Sequence, residues 1–208
     1  MAPHDGRPER AGRKRRQILD AARALFVSAG FAATSMDGVV ARAGVSKQTL
    51  YRYFPSKTDL LVSVLTDELG FADATQAAPV PLQTQGDVRR ALLRLARGIT
   101  DRLMRPDEIE VLRLILGEAM RIPEARDILR TSLPEQLLGR TENLLRAAAA
   151  KGLVVVPRPD LSARMFIGPV FSFVALDGLL SPTPPDPPTN ADLEALVDIF
   201  LRTVRAER

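Results

Sequence analysis

Lys47, Gln48 and Thr49 are the residues of this chain best suited to recognising a ligand by direct contact. Lys47 and Gln48 donate hydrogen bonds of the kind that guanine and adenine accept on their major-groove edges, and the threonine methyl suits the methyl of thymine. Ser46, Tyr51 and Tyr53 flank them with hydroxyls, which serve phosphate oxygens and set register rather than sequence. The chemistry is binding. Catalysis is not expected: His4 is the only histidine, cysteine is absent, and no glycine-rich phosphate loop occurs. Carboxylate pairs such as Asp67 with Glu68 and Asp107 with Glu108 read as solvated helix faces. No cofactor and no metal site are expected.

Two short helices must position those side chains. Met36, Val39, Val40 and Ala43 recur at i, i+3, i+4 and i+7, one helical face. Thr34 precedes them as an expected N-cap, and Asp37, three residues on, is placed to complete a capping box. Gly44 supplies the left-handed stop. Val45 is an apolar plug, and Ser46 caps the next helix. That helix is predicted from Lys47 to about Phe54, with Leu50 and Phe54 inward. Pro55 ends it and Ser56, with Asp59, caps a fourth helix. Lys57 lies in that first turn, where a cation is disfavoured by the helix dipole and a phosphate would meet both amides and ammonium. Two helices joined by so tight a turn form a helix-turn-helix.

The run T-S-M-D-x-V-x-x-x-A-G-V-S-x-x-x-L-Y-x-Y-F-x-S-K-x-x-L resembles the N-terminal domain of TetR-family transcriptional regulators, densely from about Arg16 to Leu61. Gly38 departs from the pattern, and a glycine inside a helix costs about 1 kcal/mol relative to alanine. The resemblance implies a sequence-specific regulator, normally a repressor, released from a palindromic operator by a small-molecule effector. It implies a cytoplasmic, nucleoid-associated homodimer. The residues expected at DNA are Thr34, Arg42, Ser46, Lys47, Gln48, Thr49, Tyr51, Tyr53 and Lys57. A chromosome-organising protein on the same fold is the alternative.

The rest of the chain supports an all-α architecture. It has 208 residues and an apolar fraction of 46%, enough for one large or two small domains. No run of about 18 apolar residues stands out, so no transmembrane helix is expected, and no signal peptide is apparent. Residues 1–60 hold 11 Lys/Arg against 5 Asp/Glu, a balance of +6, while 61–208 hold the remaining 18 against 20, a balance of −2. Positive charge therefore travels with the helix-turn-helix, as a DNA-facing domain requires. Met1 to Gly12 reads as a disordered tail, and Arg13 to Arg16 as a basic cluster lying against phosphates. The expected division is 1–12 tail, 13–73 DNA-binding, 74–208 effector-binding and dimerisation.

Later helices are expected from Arg13 to Ser28, Asp87 to Leu103, Pro106 onward, Pro123 to Lys151 with a kink or break at Pro134, Asp160 to Leu180, and Ala191 to Arg205. Thr75 to Gln85 reads as a loop. Only Leu153 to Val156 has any strand character. Met104, Met120, Phe166 and Phe171 are candidates to line an effector pocket, since methionine and aromatic rings suit irregular apolar cavities. Val170, Phe173, Val174, Leu196, Val197, Phe200 and Val204 on the last two helices are expected at the dimer contact, forming a four-helix bundle with the partner.

Overall fold

The computed structural model describes residues 7–69, 81–119 and 121–204, and none of these residues lies in a strand. The described parts of Met1–Leu69 and Arg113–Leu129 form one compact unit; those of Gly70–Leu112 and Arg130–Arg208 form a second.

In the first unit, α1 spans Arg7–Ala29, so the helix begins before Arg13 and includes much of the stretch expected to be a tail. The physical reason is local. Pro8 falls in the first turn, where its missing N–H would have no partner in any case. Glu9 suits the dipole there, and arginine is a good helix former. Ile18, Leu19, Ala22 and Phe26 are buried along one face. Gly30, at φ +82°, stops the helix, and its N–H closes on the Phe26 carbonyl at 2.9 Å.

Next, α2 covers Met36–Ala43, α3 Lys47–Tyr53 and α4 Lys57–Leu69. The cap of α2 is Ser35, not Thr34: Ser35 Oγ accepts from the Gly38 N–H at 3.0 Å. Thr34 is buried, and its hydroxyl donates to the Gly30 carbonyl at 2.8 Å, holding the α1–α2 turn. A Cβ on Gly38 would stand 3.2 Å from Ser35 Oγ, so glycine leaves room for the cap that a larger residue would press on. Gly44 takes the left-handed conformation at φ +60° and ends α2. Ser46 caps α3 through the Thr49 N–H at 3.1 Å. Ser56 accepts from the Asp59 N–H at 3.0 Å before α4. The core of this unit is Ile18, Phe26, Leu50, Phe54, Leu60, Leu61 and Leu65, all essentially inaccessible.

Two further helices, α6 (Pro106–Ala119) and α7 (Pro123–Ala150), contribute residues to both units. No break occurs at Pro134: α7 is helical throughout Pro123–Ala150. Proline removes one backbone bond there, and the turns on either side persist. Gly152, at φ +67°, provides the stop.

The second unit is built on α5 (Gln85–Leu103), α8 (Pro159–Phe173) and α9 (Asn190–Thr203), which pack on one another. Reciprocal capping boxes start α5 and α9, Thr84 with Asp87 and Thr189 with Asp192. α8 continues as a π-helical segment, Val174–Leu179. A Cβ at its Gly178 would sit 2.6 Å from Ile109 Cδ1, so the end of that isoleucine would have to shift to admit a larger residue. Pro159–Leu179 is long and apolar enough to cross a membrane by length and composition, contrary to the expectation from sequence. However, its Ala163, Phe166, Ile167, Val170 and Val174 are buried in the packing of a helical unit, and a bundle's core helix meets the same criterion. Leu153 to Val156 forms no strand; Val155 instead donates its N–H to the Val204 carbonyl at 2.9 Å.

The residues expected at a dimer contact are displaced. Val170, Val174, Val197, Phe200 and Val204 are buried within the single chain, and Phe200 tilts against Phe166 with ring centroids 5.2 Å apart. Phe173 and Leu196 are half-buried. The solvent-facing apolar residues of α8, its π-helical continuation and α9 are Leu161, Met165, Leu176, Leu180 and Ile199. Periodicity finds the most apolar stripe of a helix, and a chain must use that stripe first to close its own core.

Across the surface of this unit Arg89 holds Asp198 in a two-point pair, Nε to Oδ1 at 2.6 Å and Nη2 to Oδ2 at 3.0 Å. That pairing keeps the Asp198 carboxyl below its ordinary range. A depressed carboxylate contributes stability above its unfolded pKa, and loses it as pH falls through the folded value. Urea unfolding between pH 5 and pH 2 is therefore expected to show a decline that Asp198→Asn flattens. Phe166→Ala is expected to cost about 3–5 kcal/mol by the same measurement, whereas Leu176→Ser, at an exposed site, should stay within about 0.5 kcal/mol for the folded monomer.

Candidate nucleic-acid interface

The recognition surface rests on a helix of seven residues. Leu50 and Phe54 are 0% and 2% exposed and anchor it from beneath. Lys47, Gln48, Tyr51 and Arg52 are left facing solvent. Thr49 is half-buried, and its hydroxyl shares a 2.8 Å hydrogen bond with Ser46 Oγ. Both hydroxyls thus take part in the start of α3. Tyr53 is half-buried, with the Arg52 guanidinium 5.2 Å from its ring centroid. Arg42 is exposed at the end of α2.

Lys47 is not a loose cation. Its Nζ lies 2.8 Å from Asp37 Oδ1. The hydrogen bond to Asp37, reinforced by the charge attraction, raises the ammonium pKa above its ordinary value. Asp37 therefore does not complete a capping box; it reaches from the first turn of α2 to the first residue of α3.

Two residues expected at DNA are engaged in structure. Thr34 is buried, as described. Lys57 Nζ donates to the carbonyls of Phe31, Ala32 and Thr34 at 2.8, 3.1 and 2.9 Å, and sits 4.6 Å from the Phe31 ring centroid. Carbonyls left over where α1 turns into α2 have no helical partners, and a long flexible ammonium with three donors satisfies them. The sequence reading placed Lys57 by its own helix alone and could not see what lay across from it.

Arg52 and Asp37 were not among the residues expected at DNA, whereas Arg15 was, within the Arg13 to Arg16 cluster. Arg52 follows Gln48 by one turn, so helical spacing alone would have found it. The exposed Arg15 lies with its guanidinium 5.8 Å from the Phe54 ring centroid, which fixes part of the basic cluster beside α3. Only the folded chain shows the reach of Asp37.

The effector candidates Met104, Phe166 and Phe171 are not among the residues that line the cavity of the second unit. Phe166 and Met104 are buried core, Phe171 is half-buried, and Met120 lies outside the described residues. A cavity of about 410 Å³ in the second unit is lined instead by residues including Gln85, Arg89, Leu153, Asp198, Leu201 and Arg202.

Residues 18–64, which carry all of this geometry except Arg15, match the model of bacterial regulatory proteins of the tetR family. Residues 90–205 match the C-terminal domain of AefR-like transcriptional repressors. The chain belongs to the TetR family of regulators. It is 47% identical over 66 residues to the HTH-type transcriptional repressor KstR of Rhodococcus jostii (strain RHA1), covering 32% of this chain and 31% of KstR. It is 48% identical over 52 residues to the HTH-type transcriptional activator FasR of Mycolicibacterium smegmatis (strain ATCC 700084 / mc(2)155), covering 25% of this chain and 24% of FasR. These matches span a third or less of those relatives' lengths. The structure of the flavonoid-responsive regulator FrrA covers 95% of this chain and 100% of its own, with a TM-score of 0.73 and 29% identity.

The clamp at Lys57 has a measurable consequence. Lys57→Met should lower the stability of this TetR-family protein by about 2 kcal/mol, since charge-assisted bonds to backbone are lost. The dependence of DNA affinity on salt should keep its slope. A slope shallower by about 0.9 would mark Lys57 as a phosphate ligand instead.

Proposed function

We propose that this chain is a transcriptional repressor that binds a palindromic operator as a homodimer and leaves it when a small-molecule effector binds. The observation that carries the reading is the solvent-facing row of Lys47, Gln48 and Tyr51 on a capped helix held by Leu50 and Phe54. Lys47 and Gln48 are the base-reading candidates. Tyr51, Arg42 and Arg52 suit phosphates, as does the basic start of α1 with Arg15. Tyr53 and Thr49 are half-buried, and Ser46, though exposed, caps the helix.

Repression draws its support from the second domain. The helix-turn-helix resembles that of a repressor and that of an activator, so it cannot decide the sign. The AefR-like repressor match covers residues 90–205. These relatives favour a regulator over a chromosome-organising role, and the cytoplasm, where the chromosome lies, as the site of action. In division of labour, α1 to α4 read DNA, and the following residues to the C-terminal end respond to effector and dimerise. Ligand control fits the flavonoid-responsive neighbour; a ligand preferring the non-binding conformation shifts the population away from DNA.

One helix-turn-helix reads few bases, and a dimer reads two half-sites about 34–36 Å, or a multiple, apart. The face for that contact is Leu161, Met165, Leu176 and Leu180 with Ile199, which one chain leaves exposed. An aspartate at both Leu176 and Leu180 is expected to yield a folded monomer in sedimentation and to weaken operator binding strongly. Genome-wide mapping of bound DNA should return near-palindromic sites upstream of genes. On that operator Lys47→Ala should cost about 1–3 kcal/mol of discrimination, while Tyr51→Phe weakens operator and random duplex alike. Sites scattered without palindromy, or a stable wild-type monomer, would refute the reading.

A further inference from the structure

Asp37 is the only acidic residue from Met36 to Tyr53, and it is 70% exposed on the face that α3 presents. An isolated carboxylate beside a surface meant for a polyanion repels that polyanion. As a stabilising ion pair it offers little, because water and salt screen two charges this exposed. Its place in the fold points to another use. It stands in the first turn of α2, and its oxygen meets the Nζ of Lys47, the first residue of α3, at 2.8 Å. Lys47 is itself 62% exposed. Before DNA arrives, this ammonium therefore already has an anion.

We propose that Asp37 is a specificity-determining residue: it holds Lys47 in an intramolecular pair that DNA must replace, and so suppresses binding to non-cognate sequence. This rests on Lys47 facing DNA. The logic is an exchange. A phosphate in arbitrary register gives the ammonium no more than the carboxylate already does, so the net gain is small. A guanine edge in the correct register offers two acceptors to a cation delivered by a docked helix. Neutralising Lys47 also removes about one counterion released per complex from the non-specific term, which depends on phosphate contacts alone. Such an arrangement discriminates by weakening the wrong complex more than the right one.

The test needs two duplexes: one enriched from a random pool by the wild-type protein, and a scrambled version of it. Affinities are measured from 50 to 300 mM salt for wild type, Asp37→Asn, Lys47→Ala and the double variant. Asp37→Asn is expected to raise affinity for the scrambled duplex roughly five- to tenfold near 0.1 M salt and to steepen its salt slope by about 0.9. Affinity for the enriched duplex should rise less than twofold to threefold, so the specificity ratio falls. In the Lys47→Ala background, where Asp37 is an isolated repulsive charge, the same change should raise affinity for both duplexes by one smaller factor and leave the specificity ratio unchanged. An equal gain in that background would overturn the proposal, because Asp37 would then be only a general repulsive charge. A specificity ratio unchanged by Asp37→Asn would overturn it too, with Lys47→Ala still weakening the enriched duplex and so leaving the DNA-reading assignment standing. Failure of the wild type to enrich any duplex would overturn both. Asp37→Ser makes the same charge change and replaces the asparagine variant if that one fails to fold.

Discussion

Burial of Leu50 and Phe54 beneath a seven-residue helix is the constraint on which the remaining features of the DNA-facing unit depend. Isolated helices shorter than about 12–15 residues are marginal in water, so α3 owes its existence to what lies under it and to its ends. Gly44 reverses the chain in the left-handed region, Ser46 satisfies the first free amide, and the Phe54 N–H closes on the Leu50 carbonyl at 2.9 Å. Four outward side chains follow as a consequence. They need not stabilise anything, and that leaves their chemistry free for recognition.

Polar groups around that helix divide into those that build and those that face outward. Thr34 and Lys57 satisfy backbone carbonyls where α1 turns into α2, and Ser46 and Thr49 satisfy the start of α3. An unpaired backbone group near the core costs about as much as a lost hydrogen bond, which explains why side chains of suitable reach are drawn inward. Lys57 shows the effect clearly. Its position in a helix first turn is unfavourable for a cation on dipole grounds, yet three carbonyls and an aromatic face outweigh that. Positive charge near a DNA-binding surface is therefore not by itself a count of phosphate contacts.

The second unit faces a different demand. α8 and α9 carry apolar residues on two sides, and only one side is covered within the chain. The covered side is richer in branched and aromatic residues: Val170, Val174 and Val197 are buried there, and Phe200 tilts against Phe166. The uncovered side is sparser, with Leu161, Met165, Leu176, Leu180 and Ile199 separated by small and polar residues. Moderately apolar, discontinuous surface is what a separately folding partner interface looks like, whereas the denser stripe behaves as core.

Sequence alone determined the helices, the caps at Ser46 and Ser56, the glycine stops, and the helix-turn-helix with its outward Lys47 and Gln48. Those features are local: they depend on spacing along one chain, on backbone conformations only glycine accepts readily, and on side chains reaching amides three residues away. The start of α1 at Arg7 was missed where local signals were mixed. What tertiary structure decided was partnership across separate elements. It assigned Lys57 to the α1–α2 turn 23 to 26 residues away, Asp37 to Lys47, and the densest apolar stripe of α8 and α9 to the protomer's own core. Periodicity states that a face is apolar or a side chain charged. Which neighbour meets it depends on packing in three dimensions, where the choice between a carbonyl, a carboxylate, a base edge or a second protomer is made.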